Sequence, residues 1–179
     1  FDPVWSRINE AGITVVIHAG DSGYNTQGYA DNKFSAAGIS KGNYSGPSIG
    51  SFSIERAAQD WLIQAVFQKI FDRFPRLRFA SVENGSDFLA PMFRKFDQQT
   101  KKTFGWFEDH PIDTFKQNVW INPFWEDDVN EITELMGADR VIFGSDWPHI
   151  EGLPHPLDYL VELKDFEPCL LYTSDAADD

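Results

Sequence analysis

Basic residues are scarce in this chain. Lys and Arg number 15 against 28 Asp and Glu, giving a formal net charge of −13. Such a balance has no cationic surplus to neutralise phosphates, which argues against nucleic acid as a partner. An anionic membrane surface is disfavoured for the same reason. Cysteine is nearly absent: Cys169 stands alone, so there is no internal disulfide and no Cys-rich zinc site. A single thiol fits a reducing, cytoplasmic setting. No apolar run approaches the ~18 residues of a membrane span. The sequence also lacks GxGxxG after a strand, a Gly-Lys-Ser/Thr phosphate loop and a GxSxG nucleophile elbow, which removes most of the case for nucleotide binding and serine-hydrolase chemistry.

What the chain does have is apolar and aromatic content. Hydrophobic residues make up 42% and aromatic residues 15%, and 179 residues suffice for one domain with a sizeable core. Val4, Ile8 and Ala11 at helical spacing predict a helix over 3–11, stopped by Gly12. Ile13-Thr-Val-Val-Ile-His18 is a β-branched run without alternation, which reads as a strand buried on both faces. Residues 24–53 form a long polar segment, read as a loop on the active-site side. A helix follows over 54–73, with Trp61, Leu62, Ala65, Val66 and Ile70 on its apolar face. Leu77–Glu83 reads as a strand and Asn84-Gly85 as a turn. Ser86 or Asp87 is the expected cap of a helix bearing Phe88, Leu89, Met92, Phe93 and Phe96. A short helix from Pro111 to Lys116 precedes a strand over Asn118–Asn122. A helix with Glu126, Asp127 and Asp128 at its start leads to a last strand, Val141–Phe143. Leu157, Leu160 and Val161 mark a final helix to about Phe166. The chain opens on Phe1 and not Met, which reads as a fragment or processed form. Residues 170–179 have no amphipathic period and read as a non-native tail, leaving 1–169 as the domain.

Four strands, each followed by a helix, predict right-handed crossovers and a parallel sheet. They fit half of a (β/α)₈ barrel or a small open sheet. In such folds chemistry sits at the C-terminal ends of strands. Those ends carry His18 with Asp21, Glu83 with Asn84, Asn122, and Asp146 with Trp147 and His149. Histidine and carboxylates converging on one rim suit a divalent metal such as zinc, with manganese as the alternative. The metal would activate a water while a carboxylate moves the proton. Asn122 reads as a hydrogen-bonding support. Asn84, Trp147 and His149 are the candidate substrate contacts.

Three segments carry a family likeness: Ile17-His-Ala-Gly20, Phe74-Pro-Arg-Leu-Arg-Phe-Ala-Ser-Val-Glu-Asn-Gly85 and, above all, Val141-Ile-Phe-Gly-Ser-Asp-Trp-Pro-His149. Together they resemble the amidohydrolase-related family. This branch of the metal-dependent amidohydrolase superfamily includes aminocarboxymuconate-semialdehyde decarboxylase and related aromatic-acid decarboxylases. The resemblance implies a (β/α)₈ barrel of which this chain holds strands five to eight. It implies that His18 is a metal ligand, and that Asp146 is a ligand or proton-transfer group. The His-x-His pair of the family's first strand is not in this chain. Where the decarboxylases carry a histidine at the end of the sixth strand, Glu83 stands here, changing the charge and proton inventory of the site. The expected activity of the full-length parent is therefore hydrolysis of a small organic molecule, with non-oxidative decarboxylation as the alternative. An inactive fragment or a binding protein on the same scaffold is the reading from another class. A homo-oligomer is a family expectation only.

Overall fold

The computed structural model describes residues 1–20, 52, 54–148, 152–164 and 166. The long loop, Asp21, His149, Cys169 and the tail fall outside the described residues, apart from Phe52 near the end of the loop. Helix α1 (Asp2–Ala11) ends on Gly12 in the left-handed conformation, φ 65°, as a glycine stop requires. Strand β1 (Thr14–His18) follows. The helix predicted over 54–73 is two helices, α2 (Arg56–Phe67) and α3 (Ile70–Arg73). Lys69 breaks them with φ 54°, while its ammonium sits 4.9 Å from the centre of the Trp106 ring. Phe74-Pro75 closes α3, and β2 (Arg78–Val82) runs next.

Helix α4 (Leu89–Lys102) buries Leu89, Met92, Phe93 and Phe96, the face its spacing predicts. Neither Ser86 nor Asp87 caps it. Phe88 occupies that position without a side-chain bond, and Pro91 falls in the first turn, where its missing N–H costs nothing. Helix α5 (Pro111–Asn118) starts on His110, whose Nδ1 accepts from the Ile112 amide. Strand β3 (Val119–Ile121) is short. Helix α6 (Val129–Met136) is capped by Asp128, which accepts from the Asn130 and Glu131 amides.

The strands are parallel, in the order β1-β2-β3. The predicted fourth strand keeps that order but is held by a single parallel bridge, Val141 to Ile121, and by the Ile142 amide donating to the Ile121 carbonyl at 2.9 Å. Register sorts the side chains onto two faces. Val15, Phe79 and Val119 align and pack towards the helices, where Phe79 meets Trp61, Phe71 and Trp5 at ring distances of 4.8, 5.4 and 6.0 Å. Val16, Ala80 and Trp120 align on the other face.

Two expectations are corrected. Strand β1 is not buried on both faces: Thr14, Val16 and His18 are exposed and alternate with half-buried Val15 and Ile17. A β-branched run looks the same whether one or two faces are covered. The final helix is a 3₁₀ turn over Pro156–Val161. Leu157, Leu160 and Val161, its expected apolar face, point outwards, and Tyr159 is the buried residue. A period of three places different residues inwards than a period of 3.6. Among the described residues no helix is long and apolar enough to cross a membrane.

Candidate active site

His18 ends β1, and Glu83 is the first residue beyond β2. Their partnership follows from the register: His18 pairs with Val82, which brings Glu83 alongside. His18 Nε2 lies 3.0 Å from Glu83 Oε1. The other ring nitrogen, Nδ1, donates to the Ala19 carbonyl at 2.7 Å, which fixes the ring and aims Nε2 at the carboxylate. Asp146, beyond the fourth strand position, hydrogen-bonds Glu83 through its side chain. Of the residues predicted for this rim, His18, Glu83 and Asp146 come together there.

The electrostatics favour positive charge at this point. The His18 imidazole is held above its usual pKa chiefly by the Ala19 carbonyl; burial opposes this, and Glu83 and then Asp146 add to the upward shift. The Glu83 carboxyl is also pushed up, first by desolvation and then by the Asp146 carboxylate, although His18 pulls the other way.

One nitrogen and two carboxylates are donors of the type divalent cations take, and a fixed Nδ1–H leaves Nε2 as the coordinating atom. The donor set fits such an ion but is partial. Among the described residues no group of three or more His, Cys, Asp or Glu is arranged to hold a metal.

Two buried asparagines, Asn84 and Asn122, brace the rim, and a third, Asn118, braces the other end of the sheet. Asn84 Nδ2 donates to the carbonyls of Ile17 and Val82 at 2.9 and 2.8 Å and approaches Ser81 Oγ at 3.2 Å. It ties β1 to β2 directly behind His18 and Glu83. Asn118 Nδ2 donates to the Leu77 carbonyl at 2.7 Å at the opposite end of the sheet. Asn122 Nδ2 donates to the Ile142 carbonyl at 3.2 Å, the supporting role its position suggested. A Cβ on Gly144 would sit 3.0 Å from that same Nδ2, so the turn into Asp146 passes close over Asn122. Trp147 is 64% exposed, and its amide donates to Ser145 Oγ. His149 lies outside the described residues.

Sequence reasoning missed one element of the site. Gly152 lies against the Asp146 turn: a Cβ there would meet the Ser145 and Asp146 carbonyl oxygens at 2.6 and 2.7 Å. The Leu153 amide donates to the Ser145 carbonyl at 3.0 Å. The Gly-Leu-Pro string that does this carries no sequence signal beyond a turn.

The amidohydrolase family model matches residues 1–177. No protein with a curated description matches the chain. Among solved structures, an amidohydrolase from Mycobacterium avium subsp. paratuberculosis K-10 is 33% identical with a TM-score of 0.82, and the match covers 96% of this chain and 42% of that one. A dihydroxybenzoic acid decarboxylase from Polaromonas sp. JS666, solved with manganese and 2-nitroresorcinol, is 15% identical with a TM-score of 0.63, covering 99% and 54%. A 5-carboxyvanillate decarboxylase from Novosphingobium aromaticivorans DSM 12444, solved with manganese and a nitrobenzoic acid, is 16% identical with a TM-score of 0.61, covering 97% and 48%. The chain thus spans about half the length of the structures it matches. Its strands form part of a barrel. On the family match across nearly its whole length, the chain belongs to the amidohydrolase family.

Proposed function

We propose that this chain is the C-terminal half of a divalent-metal hydrolase acting on a small organic substrate. The observation that carries the reading is the His18–Glu83–Asp146 contact at the C-terminal rim. His18 and Asp146 would hold the ion, zinc by the donor chemistry or manganese as in two of the solved relatives. When bound, such an ion supplies Lewis-acid polarisation and an acidified water.

The residues of this chain do the rest. Glu83 accepts a proton and returns it to the leaving group, because it lies within hydrogen-bond reach of both partners and its carboxyl holds a proton more readily than usual. Asn84, expected from the sequence as a substrate contact, acts instead as a positioning residue, since it is buried and its amide nitrogen is engaged by the Ile17 and Val82 carbonyls. Trp147 offers an exposed ring for the substrate beside Asp146, and His149 is a second substrate contact.

The second reading is decarboxylation, favoured by the protonated character of the His18–Glu83 pair, since a carbanion left by departing CO₂ must be protonated. Labelled water separates the two in the intact enzyme. Hydrolysis places one solvent oxygen in the product, whereas CO₂ release without oxygen uptake would sink the hydrolase reading. For this chain alone, titration with Mn²⁺ and Zn²⁺ should give binding that Asp146→Ala and His18→Ala each weaken. Equal binding by all three proteins would remove both residues from the metal site.

A further inference from the structure

The opposite end of the sheet carries a feature the rim chemistry does not use. A groove of about 340 Å³ lies beside the start of β2, lined by Gly12, Arg76, Arg78, Gln117, Asn118 and Trp120 among others. Arg78 opens β2 and Glu83 follows its end, so the groove is roughly 16 Å from the candidate active site at ~3.3 Å per residue.

Its charge is unusual for a chain of net charge −13. Neither Arg76 nor Arg78 has a carboxylate partner among the described residues. Arg76 Nη2 donates to the Asn9 and Glu10 carbonyls at 2.8 and 2.9 Å, and Arg78 Nη2 donates to the Gly12 carbonyl. The nearby acids are engaged elsewhere: Glu10 accepts from Ser6 and Asp139 pairs with Arg140. The Arg140 guanidinium, already paired with Asp139, stacks 4.6 Å from the centre of the Trp120 ring, which leaves Arg76 and Arg78 as the cations of the groove.

Backbone carbonyls therefore fix two guanidinium groups without neutralising them, and each keeps Nε and Nη1 donors for a further acceptor. Planar guanidinium groups held in this way match the oxygens of an oxyanion. We propose that this groove is a binding site for a small polyvalent oxyanion of the phosphate class, separate from the candidate active site.

The test titrates the chain with inorganic phosphate against chloride at matched ionic strength, reading the Trp120 indole and arginine Nε resonances by NMR. Saturable shifts specific to phosphate are expected. Arg78→Gln should weaken them about tenfold and Arg78→Lys, which keeps the charge, only a few-fold. Should Arg78→Gln fail to fold, Arg76→Gln carries the same expectation. Equal shifts with chloride, meaning an adventitious ion only, would overturn the proposal, as would phosphate binding unchanged in a folded Gln variant.

Discussion

Glu83 and Asp146 leave the sheet the same way: each has a left-handed backbone, φ 56° and 53°, and their side chains hydrogen-bond each other. Left-handed φ is uncommon outside glycine and costs an L-residue of this kind about 1–2 kcal/mol. Two carboxylates that both bear that cost, one after β2 and one after the fourth strand position with β3 between them, turn back over the rim instead of continuing along the strand. Strain of this kind clusters where a side chain must be aimed. Here it turns Glu83 onto His18 and Asp146 onto Glu83.

The first prediction separates backbone strain from side-chain chemistry. Glu83→Ala and Glu83→Gly both delete the contacts to His18 and Asp146, so those losses cancel between them. Glycine relieves the left-handed cost of about 1–2 kcal/mol but loses about 0.5–1 kcal/mol in extra chain entropy. The Gly variant should be more stable than the Ala variant by roughly 0.5–1 kcal/mol. Urea denaturation measures the difference, and an Ala variant at least as stable as Gly would show that Glu83 is not strained.

Asn84 gives the second. It is buried, and its amide serves carbonyls on both β1 and β2. Asn84→Ala should cost about 1–3 kcal/mol, because it leaves inward-facing carbonyls short of a donor. Asn84→Asp should cost more at neutral pH, since a carboxylate would face the Ile17 and Val82 carbonyls. If Asp proves the milder change, the amide nitrogen is not the group that matters.

Much of this architecture is legible in the sequence because the decisive signals are local. Gly12 stops α1, Asp128 caps α6, and the Leu89–Phe96 spacing selects the buried face of α4. His18, Glu83 and Asp146 could be picked out as candidates because each follows a strand-like run, and parallel strands deliver their C-terminal ends to one side. What could not be read depends on neighbours. The single open face of β1 reflects what packs against it, not its own β-branched residues. The break at Lys69 interrupts a continuous apolar stripe with nothing but a lysine. The outward turn of Leu157 and Leu160 follows from a 3₁₀ geometry that an apolar count cannot distinguish from an α-helix. The His18–Glu83 distance depends on strand register, which periodicity alone leaves open.

Asp127 supplies a pH prediction away from the rim. Burial, more than the neighbouring Asp87 and Glu126, raises its pKa, against hydrogen bonds from the Phe124 amide and Ser86 that lower it. A raised folded-state value means the folded protein holds this proton more tightly than the unfolded chain. The resulting stability is complete below the unfolded value near ~3.9 and is lost as pH rises through the folded value. Asp127→Asn keeps an oxygen for the Phe124 amide and cannot ionise. Relative to the parent, the variant should gain stability between about pH 4 and pH 7. Paired urea curves at the two ends of that range test it, and a difference that stays constant or shrinks would show that ionisation of Asp127 carries no folding cost.

The last prediction concerns Gly152. A methyl group there would lie 2.6 Å from the Ser145 carbonyl oxygen and 2.7 Å from that of Asp146, and neither atom is the free end of a side chain that could rotate away. Relief requires the 152–153 segment to lift off the Asp146 turn, breaking the Leu153-to-Ser145 hydrogen bond. The Phe143–Tyr159 ring contact at 5.0 Å holds the following turn independently, so the damage should stay local. Gly152→Ala should cost about 1–3 kcal/mol, the range for overpacking. Amide exchange at Leu153 should accelerate, while the β1 and β2 amides keep their protection in exchange measured under native conditions. Unchanged Leu153 exchange would mean that the segment does not clamp the turn. Accelerated exchange confined to it would identify a clamp on the backbone that presents Asp146 to Glu83.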